Sequence, residues 1–282
     1  MTTARIMPVG AHRIGNACLT LQFDHYLQPV DQTYIVSPLN GTRLDAVFRK
    51  YGIDTSNFVY LTDQEVASQR PQVNSWNLHG DYRGPWLFQQ ALKLAMVDIL
   101  DHDILFLHDA DTFCTQSYSF YQNNRLQLWH LPNVSHAPGY YEGFRAITGL
   151  ERQTPHCFVC DMMPVLKSDW LSLKRITEQR HDMNVFDAMI EYTPWDYVAN
   201  VKWFSDYEVL GNWALAQSGA IDLLEQHRFE FKKLEQATHN DFPPKFNVVG
   251  DKNPQMIMLS FDFASDTVNN YDVVFERFKT LR

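Results

Sequence analysis

A run of four apolar residues, Ile104 to Leu107, leads through His108 to two aspartates, Asp109 and Asp111. The apolar run is typical of a buried strand, so the two carboxylates follow where that strand leaves the core. Carboxylates at the rim of a core lose hydration and repel each other, which is unfavourable unless a positive charge joins them. With one residue between them, the two side chains can point the same way in extended backbone. The pair therefore predicts a site for a divalent cation.

The chemistry of such a pair follows from its hard oxygen ligands. Carboxylates suit Mg²⁺ or Mn²⁺, which keep coordination positions open for water and phosphate oxygens. A cation that bridges a diphosphate would neutralise the negative charge on that group as it departs. The competing interpretation makes Asp109 and Asp111 two solvated carboxylates in a loop, and both interpretations stay open on this pattern alone.

The elements that must position the pair alternate along the chain. Strand-like and helix-like patterns follow one another at 4–10, 16–26, 32–38, 43–52, 57–63, 84–100 and 102–111. This order predicts an α/β fold with a mostly parallel sheet wrapped by helices. Ligands bind such sheets beyond the carboxyl ends of the strands, and Asp63, Asp109 and Asp111 all fall at such ends.

The helix predicted at 84–100 carries a polar stripe on an otherwise apolar surface. Trp86, Gln89, Gln90 and Lys93 recur at helical spacing. The first interpretation of such a stripe is a solvated helix face. In the second interpretation its early turns flank the same cavity as the aspartates, because this helix leads directly into the acidic strand end.

Composition limits the function. The chain has 282 residues, 45% of them hydrophobic and 14% aromatic, which suits one large α/β domain with a substantial core. A net charge of −9 argues against nucleic acid as a partner, because phosphate binding needs clustered Lys and Arg. We expect no membrane span and, without a secretory signal at the N-terminus, a cytoplasmic protein. The oligomeric state stays open.

Four cysteines, Cys18, Cys114, Cys157 and Cys160, are too few to form a disulfide framework in a chain of this length. The last two have the two-residue spacing of redox and zinc motifs. No second pair with zinc spacing lies near them. We therefore predict buried core thiols, with Cys157 and Cys160 in a strand at 156–163.

Two segments, 84–100 and 102–113, resemble the nucleotide-sugar half of glycosyltransferases with the GT-A fold. They are most similar to a poorly characterised bacterial and viral group of this kind. Proteins of that group have a helix with two adjacent glutamines and a lysine three residues later, followed by a strand that ends in Asp-x-Asp-Thr. Here those residues are Gln89, Gln90 and Lys93 on the helix and Asp109 at the start of the strand-end motif.

Two later segments extend the resemblance. Residues 156–169 resemble the central strand of that group, which faces the acceptor. Residues 203–215 are similar to its Phe-Ser-Glu-Tyr-Glu-x-x-Gly-Asn segment, with Asp206 in place of the first glutamate. The resemblance covers roughly residues 5 to 217. It implies one GT-A domain, an α/β/α sandwich, in which about 1–113 binds the nucleotide sugar and about 114–282 binds the acceptor.

The resemblance implies a role for each matching residue. Asp109 and Asp111 would hold Mn²⁺ or Mg²⁺ and, through it, the diphosphate of a nucleoside-diphosphate sugar, of which UDP-sugars are the commonest. Further donor contacts are implied for Pro8, Val9, Ser37, Asp63, Gln89, Gln90 and Lys93. The first four would receive the nucleoside, and Lys93 would place a cation near phosphate. A third metal ligand, His227 or His239, stays open.

Asp206 and Glu208 are the implied catalytic carboxylates. In an inverting enzyme such a group takes the proton from the attacking acceptor hydroxyl, and in a retaining enzyme it stabilises positive charge on the sugar. Without the resemblance, the same residues read as the start of a helix at Tyr207, capped by Ser205 or Asp206. Both interpretations hold together if one carboxylate caps the helix and the other faces the site.

The implied function is metal-dependent transfer of a sugar to a glycan, a lipid-linked sugar or another hydroxyl acceptor. One alternative is a phosphatase of the haloacid dehalogenase type, which also ends a strand in Asp-x-Asp and which the segment 250–255 faintly resembles. Those enzymes need Thr or Val four residues after the first aspartate, where this chain has Phe113. The other alternative is a non-catalytic sugar- or nucleotide-binding protein on the same fold.

Overall fold

The structure is a computed structural model, and it describes residues 1–78, 84–132, 138–196, 201–217, 219–226, 228–231 and 256–259. Strands and helices alternate at first, in the order β1 (Thr3–Pro8), α1 (Ile14–Gln22), β2 (Gln32–Ser37), α2 (Gly41–Lys50), β3 (Phe58–Thr62), α3 (Asp63–Gln69), α4 (Gly84–Ile99) and β4 (Ile104–His108). The later elements are β5 (Thr112–Cys114), β6 (Tyr121–Gln122), β7 (Arg125–His130), α5 (Pro138–Thr148), β8 (Met162–Leu166), α6 (Lys167–His181), α7 (Val185–Tyr192), β9 (Trp195–Asp196), β10 (Val201–Lys202), α8 (Asp206–Gln217), β11 (Ile221–Glu225), β12 (Arg228–Phe231) and β13 (Met256–Leu259). Short 3-10 helices occupy Ala11–Arg13, Asp24–Tyr26 and Pro71–Leu78.

The central sheet has five strands in the order β3, β2, β1, β4 and β8. The first four run parallel, and β8 runs antiparallel to β4. Every residue of β4 is buried, as expected of a strand that helices cover on both faces. The prediction of an α/β fold with a mostly parallel central sheet is confirmed.

Two apolar clusters cover the two faces of this sheet. Successive side chains of a strand point to opposite faces, so Ile6 of β1 belongs to the larger cluster and Met7 to the smaller one. The larger cluster contains the apolar side chains of α3 and α4, and the smaller one contains those of α1 and α2. The sheet is therefore a middle layer between helices. Among the described helices, none has both the length and the apolar character that crossing a lipid bilayer requires.

The helix predicted at 16–26 differs from the observed structure. It is divided into α1 and the 3-10 helix Asp24–Tyr26. The backbone N–H of Phe23 bonds to the carbonyl of Thr20, three residues earlier, at 3.1 Å, and this contact tightens the last turn of α1. The other predicted elements of the first part of the chain lie within a few residues of the observed ones.

The strand predicted at 156–163 is wrong over most of its length. β8 begins only at Met162, because Asp161 has a φ of 62°, a left-handed conformation that an extended strand does not contain. Cys157 and Cys160 lie before this strand, where Cys157 forms only an isolated antiparallel bridge with Leu131. They are nevertheless buried thiols outside any disulfide, like the other two cysteines, so the prediction of core cysteines is confirmed.

The start of α4 is fixed by a close approach between two chain segments. A Cβ atom at Gly84 would collide with the carbonyl oxygen of Asn77 in the preceding 3-10 helix. Only glycine fits this approach without a shift of the backbone. The contact sets where α4 begins and therefore which of its side chains reach the carboxyl ends of the strands.

Candidate active site

A cavity of about 810 Å³ lies at the carboxyl ends of β1 and β4. The chain runs from β1 outward to β3 and then returns to β4 on the other side of β1, so the crevice between β1 and β4 is the point where the strand order reverses. Ligands of open α/β sheets bind at such a point. The volume is typical of a small-molecule site.

The described lining of this cavity carries an excess of negative charge. Its aspartates are Asp63, Asp109, Asp111, Asp161 and Asp206, and its cations are Arg13 and Lys93. Burial, together with the charges of Asp109 and Asp161, raises the pKa of Asp111 to about 7, although Arg13 opposes the rise. The like charges therefore fit a site that takes up a cation.

No group of three or more metal-ligating side chains occurs in the part of the chain that the structure describes. Two carboxylates still suit Mg²⁺ or Mn²⁺, which keep water and phosphate oxygens as further ligands.

Lys93 joins two of these carboxylates. Its Nζ lies 3.0 Å from Oδ1 of Asp109 and 2.8 Å from Oδ2 of Asp206. Burial alone would lower the pKa of Lys93, but the two carboxylates raise it above its ordinary value. The ammonium also lies 4.1 Å from the centre of the Tyr207 ring. Lys93 lines the cavity and is directed to these two carboxylates, and its predicted position near a phosphate stays a prediction.

Asp206 begins α8 and faces the cavity. Its backbone N–H donates to Oε1 of Gln90 at 2.8 Å, and its own Oδ1 accepts from the N–H of Tyr207 at 3.0 Å. Burial raises the pKa of Asp206, and the ion pair with Lys93 opposes that rise. The hydroxyl of Ser205 accepts from the N–H of Glu208 at 3.3 Å, so the serine caps the helix and Asp206 is the carboxylate at the cavity.

Glu208, the other implied catalytic carboxylate, does not line the cavity. Residues two apart on a helix point in nearly opposite directions, so Asp206 and Glu208 cannot both face it. Glu208 is fully buried, its Oε1 accepting from the N–H of Phe158 at 2.9 Å and its Oε2 from Nδ2 of Asn212 at 3.1 Å. Burial raises the pKa of Glu208, and these hydrogen bonds oppose the rise. Its contacts are those of a structural side chain.

Most of the residues predicted to contact the donor do line the cavity. They are Pro8, Val9, Asp63, Gln89, Gln90 and Lys93. Ser37 is the exception, because its buried hydroxyl accepts from the N–H of Leu39 at 3.2 Å, away from the cavity. Gln90 and Lys93 are also buried, so the interpretation of the α4 stripe as a solvated face is wrong for them. His227 and His239 lie outside the described residues.

Two charged residues of the described cavity wall, Asp161 and Arg13, were not predicted from the sequence. Asp161 is 6% exposed, lines the cavity, and accepts the backbone N–H of Asp109 on its carbonyl oxygen at 2.9 Å. Arg13 places Nη1 3.3 Å from Oδ2 of Asp111. The sequence feature that could have indicated Asp161 is its position as a single carboxylate inside an apolar stretch. Arg13 follows β1 by only a few residues. Its contact with Asp111 could not be predicted from a local pattern, because the two residues are 98 positions apart.

Comparisons with known proteins support the fold. No protein-family model matches the chain, and no curated protein sequence matches it. The structure is similar to that of mouse xyloside xylosyltransferase 1 in its apo form, with a TM-score of 0.52 and 9% identity over 92% of this chain and 97% of that one. It is also similar to an active-site mutant of LgtC, with a TM-score of 0.51 and 10% identity over 98% of this chain and 95% of that one. At such identities the likeness shows the fold alone, and that fold is of the predicted GT-A type.

Proposed function

We propose that this chain is a glycosyltransferase that moves a sugar from a nucleoside-diphosphate donor to a hydroxyl acceptor, with Mn²⁺ or Mg²⁺ held by Asp109 and Asp111. The observation that carries the proposal is the excess of aspartates in a cavity at the point where the strand order of the sheet reverses. A GT-A fold supports it, although a fold alone does not fix a function.

A divalent cation at the two aspartates would supply Lewis-acid neutralisation of the departing diphosphate. The chain itself holds the reacting groups in place. Lys93 fixes Asp109 relative to Asp206 through a pair of contacts of 3.0 and 2.8 Å. Gln90 accepts the backbone N–H of Asp206 and so fixes the start of α8 against α4. The carboxylate that acts on the acceptor is thereby kept at a set position relative to the donor site.

Asp206 is the proposed catalytic carboxylate. It is the member of the predicted acidic pair that lines the cavity, and its raised pKa moves it toward the range in which a carboxylate accepts a proton effectively. An inverting reaction would use it as the base for the acceptor hydroxyl, and a retaining reaction would use its charge to stabilise the sugar cation. The stereochemistry stays open.

The donor side of the cavity is the proposed nucleoside site. Pro8 is the last residue of β1, Val9 follows it and Asp63 follows β3, at the edge where parallel sheets bind nucleosides. We propose a uridine nucleotide as the donor and a glycan, lipid-linked sugar or other hydroxyl compound as the acceptor. The later part of the chain, from about 114 onward, is the proposed acceptor half.

The test is calorimetric titration with UDP and with GDP, each with and without Mn²⁺. Asp111→Asn is the informative variant, because Asp109 also pairs with the buried Lys93 and its removal would disturb the fold. Asp101→Asn is the matched control, since this exposed aspartate precedes β4 at the opposite end of the strand. We expect Mn²⁺-dependent binding that Asp111→Asn abolishes and Asp101→Asn preserves. Absence of binding to the wild-type protein would contradict the proposal.

Turnover then separates an enzyme from a binding protein. Wild-type protein loaded with Mn²⁺ is incubated with UDP-sugars, and released UDP is measured in the presence of candidate acceptors. Hydrolysis of a general phosphomonoester without any use of UDP-sugars would favour the phosphatase alternative. Tight binding with no turnover of any UDP-sugar, with or without acceptor, would favour the non-catalytic alternative.

A further inference from the structure

Two neighbouring glutamines of α4 line the cavity, and they differ in burial. Gln90 is 2% exposed, whereas Gln89 is half-buried. Successive residues of a helix are about 100° apart around its axis, so the two side chains leave α4 in different directions. Lys93 comes three positions after Gln90 and therefore shares its face of the helix. This face of α4 is the one that contacts the first residue of α8.

Gln90 bonds at two points to the backbone that leads into α8. Its Oε1 accepts the N–H of Asp206 at 2.8 Å, and its Nε2 donates to the carbonyl oxygen of Phe204 at 3.4 Å. The two contacts define the orientation of the amide, because only its oxygen accepts and only its nitrogen donates. The ring of Phe204 is held separately, by an edge-on contact with Trp76 at 4.8 Å between ring centres. The side chain of Gln90 thus pairs with this segment much as a neighbouring strand would.

The contact with Asp206 also completes the N-terminal cap of α8. The first N–H groups of a helix have no partner within that helix. The N–H of Tyr207 donates to Oδ1 of Asp206 at 3.0 Å and that of Glu208 to the hydroxyl of Ser205 at 3.3 Å, so both are satisfied locally. The N–H of Asp206 is instead satisfied from α4, by Gln90. Gln90 is therefore part of what sets the position of the α8 backbone relative to α4.

We infer that Gln90 is a positioning residue, which acts on sugar transfer through the carboxylate of Asp206 and not through a contact with the donor. The inference rests on the proposed function. Lys93 holds the carboxylate itself, whereas Gln90 holds the main chain from which that carboxylate projects. A displacement of about 1 Å at a reacting group can lower a rate about 100-fold, even when it originates at a residue that does not react.

The experiment compares Gln90→Met with Gln89→Met in the full chain. Methionine keeps the length of the side chain and removes the hydrogen bonds of the amide. UDP is titrated by calorimetry in saturating Mn²⁺, which gives the affinity and the fraction of chains that bind. Sugar transfer from UDP-glucose, UDP-galactose and UDP-N-acetylglucosamine to candidate acceptors is then expressed per binding chain. We expect Gln90→Met to keep its UDP affinity within about twofold of wild type and to transfer sugar about 30-fold more slowly.

A second background tests whether Gln90 acts through Asp206. Both glutamine variants are combined with Asp206→Asn, and a double-mutant cycle compares the transfer rates. Effects of residues that act as a unit are not additive, so Gln90→Met should slow Asp206→Asn by less than about twofold. Gln89→Met is the matched control, and any effect that it has on the rate should be the same in both backgrounds. A general effect of Gln90 on packing would also slow both backgrounds equally.

The outcomes separate this inference from the proposed function. A loss of rate in Gln90→Met that disappears in the Asp206→Asn background, with UDP affinity retained, supports the positioning role. Weaker UDP binding in Gln90→Met, an unchanged transfer rate, or an equal loss in both backgrounds overturns that role and keeps the proposed function. A wild-type protein that binds no UDP with Mn²⁺, or binds it without transferring sugar, overturns both.

Discussion

Lys93 and Asp206 form an ion pair from which water is almost excluded. Nζ and Oδ2 lie 2.8 Å apart, and each side chain is 2% exposed. The pair joins α4 to the start of α8. The same ammonium also contacts Asp109, which directly follows β4. One buried lysine thus sets the mutual position of three elements of the site.

Removal of this charge should destabilise the fold strongly. Lys93→Met keeps the length of the side chain but leaves Asp206 buried without its cation, and breaking a buried pair in this way costs about 3–5 kcal/mol. Urea unfolding measures the loss. The double variant Lys93→Met with Asp206→Asn should recover part of it, because the uncompensated carboxylate is gone. A loss below about 1 kcal/mol in Lys93→Met would show that water reaches the pair in solution.

Asp111 should make stability depend on pH. Its folded-state pKa, raised to about 7, exceeds the unfolded value of about 3.9, so between these values the folded state holds a proton that the unfolded state has released. Stability therefore falls as pH rises through this window and levels off above pH 7. Asp111→Asn removes the effect. We expect the stability of the variant relative to the wild type to rise by about 2–3 kcal/mol between pH 5 and pH 8, in urea unfolding with a chelator present.

Groups other than Asp111 titrate in both proteins, so the difference between variant and wild type isolates this carboxylate. The control Asp101→Asn should follow the wild type at both pH values. A difference between Asp111→Asn and wild type that is the same at pH 5 and pH 8 would mean that the pKa of Asp111 is not raised in the folded protein, despite its burial and the charges of Asp109 and Asp161.

The sheet and the acidic strand end were predictable from the sequence because they depend on local patterns. The four apolar residues before His108 form β4, and the two aspartates after it reach the cavity. The rest depends on contacts between distant segments. Arg13 and Asp111 are 98 positions apart, and the burial of Lys93 follows from Asp206 on α8, which no periodicity of α4 reveals.

The conformation of Asp161 predicts a stability difference between two uncharged replacements. A φ of 62° is open to glycine and disfavoured for residues with a Cβ, among which Asp and Asn tolerate it best. Asp161→Gly should therefore be more stable than Asp161→Ala by about 1 kcal/mol in urea unfolding. Both variants lose the carboxylate, so the comparison reports the backbone alone. Equal stability of the two would indicate that this segment takes another conformation in solution.

Substitutions of Asp206 and Glu208 should affect activity and stability differently. Glu208→Ala removes a buried acceptor of two hydrogen bonds, from the N–H of Phe158 and from Asn212, and should lower the free energy of unfolding by about 2 kcal/mol. Because Glu208 does not line the cavity, Mn²⁺-dependent affinity for UDP should stay within about twofold of wild type at a temperature where the variant is folded.

Asp206→Asn should lower activity far more than Glu208→Ala does, and it should also cost stability, because Asp206 is paired with the buried Lys93. It keeps the shape of the side chain at the cavity wall but cannot accept the proton of an acceptor hydroxyl or stabilise a sugar cation by charge. We expect the rate of sugar transfer to fall by about 100-fold or more, with Mn²⁺-dependent UDP binding retained. Single-turnover transfer and calorimetry on the same preparation measure the two quantities. If Glu208→Ala lost transfer while Asp206→Asn kept it, the assignment of the catalytic carboxylate to the residue at the cavity would be wrong.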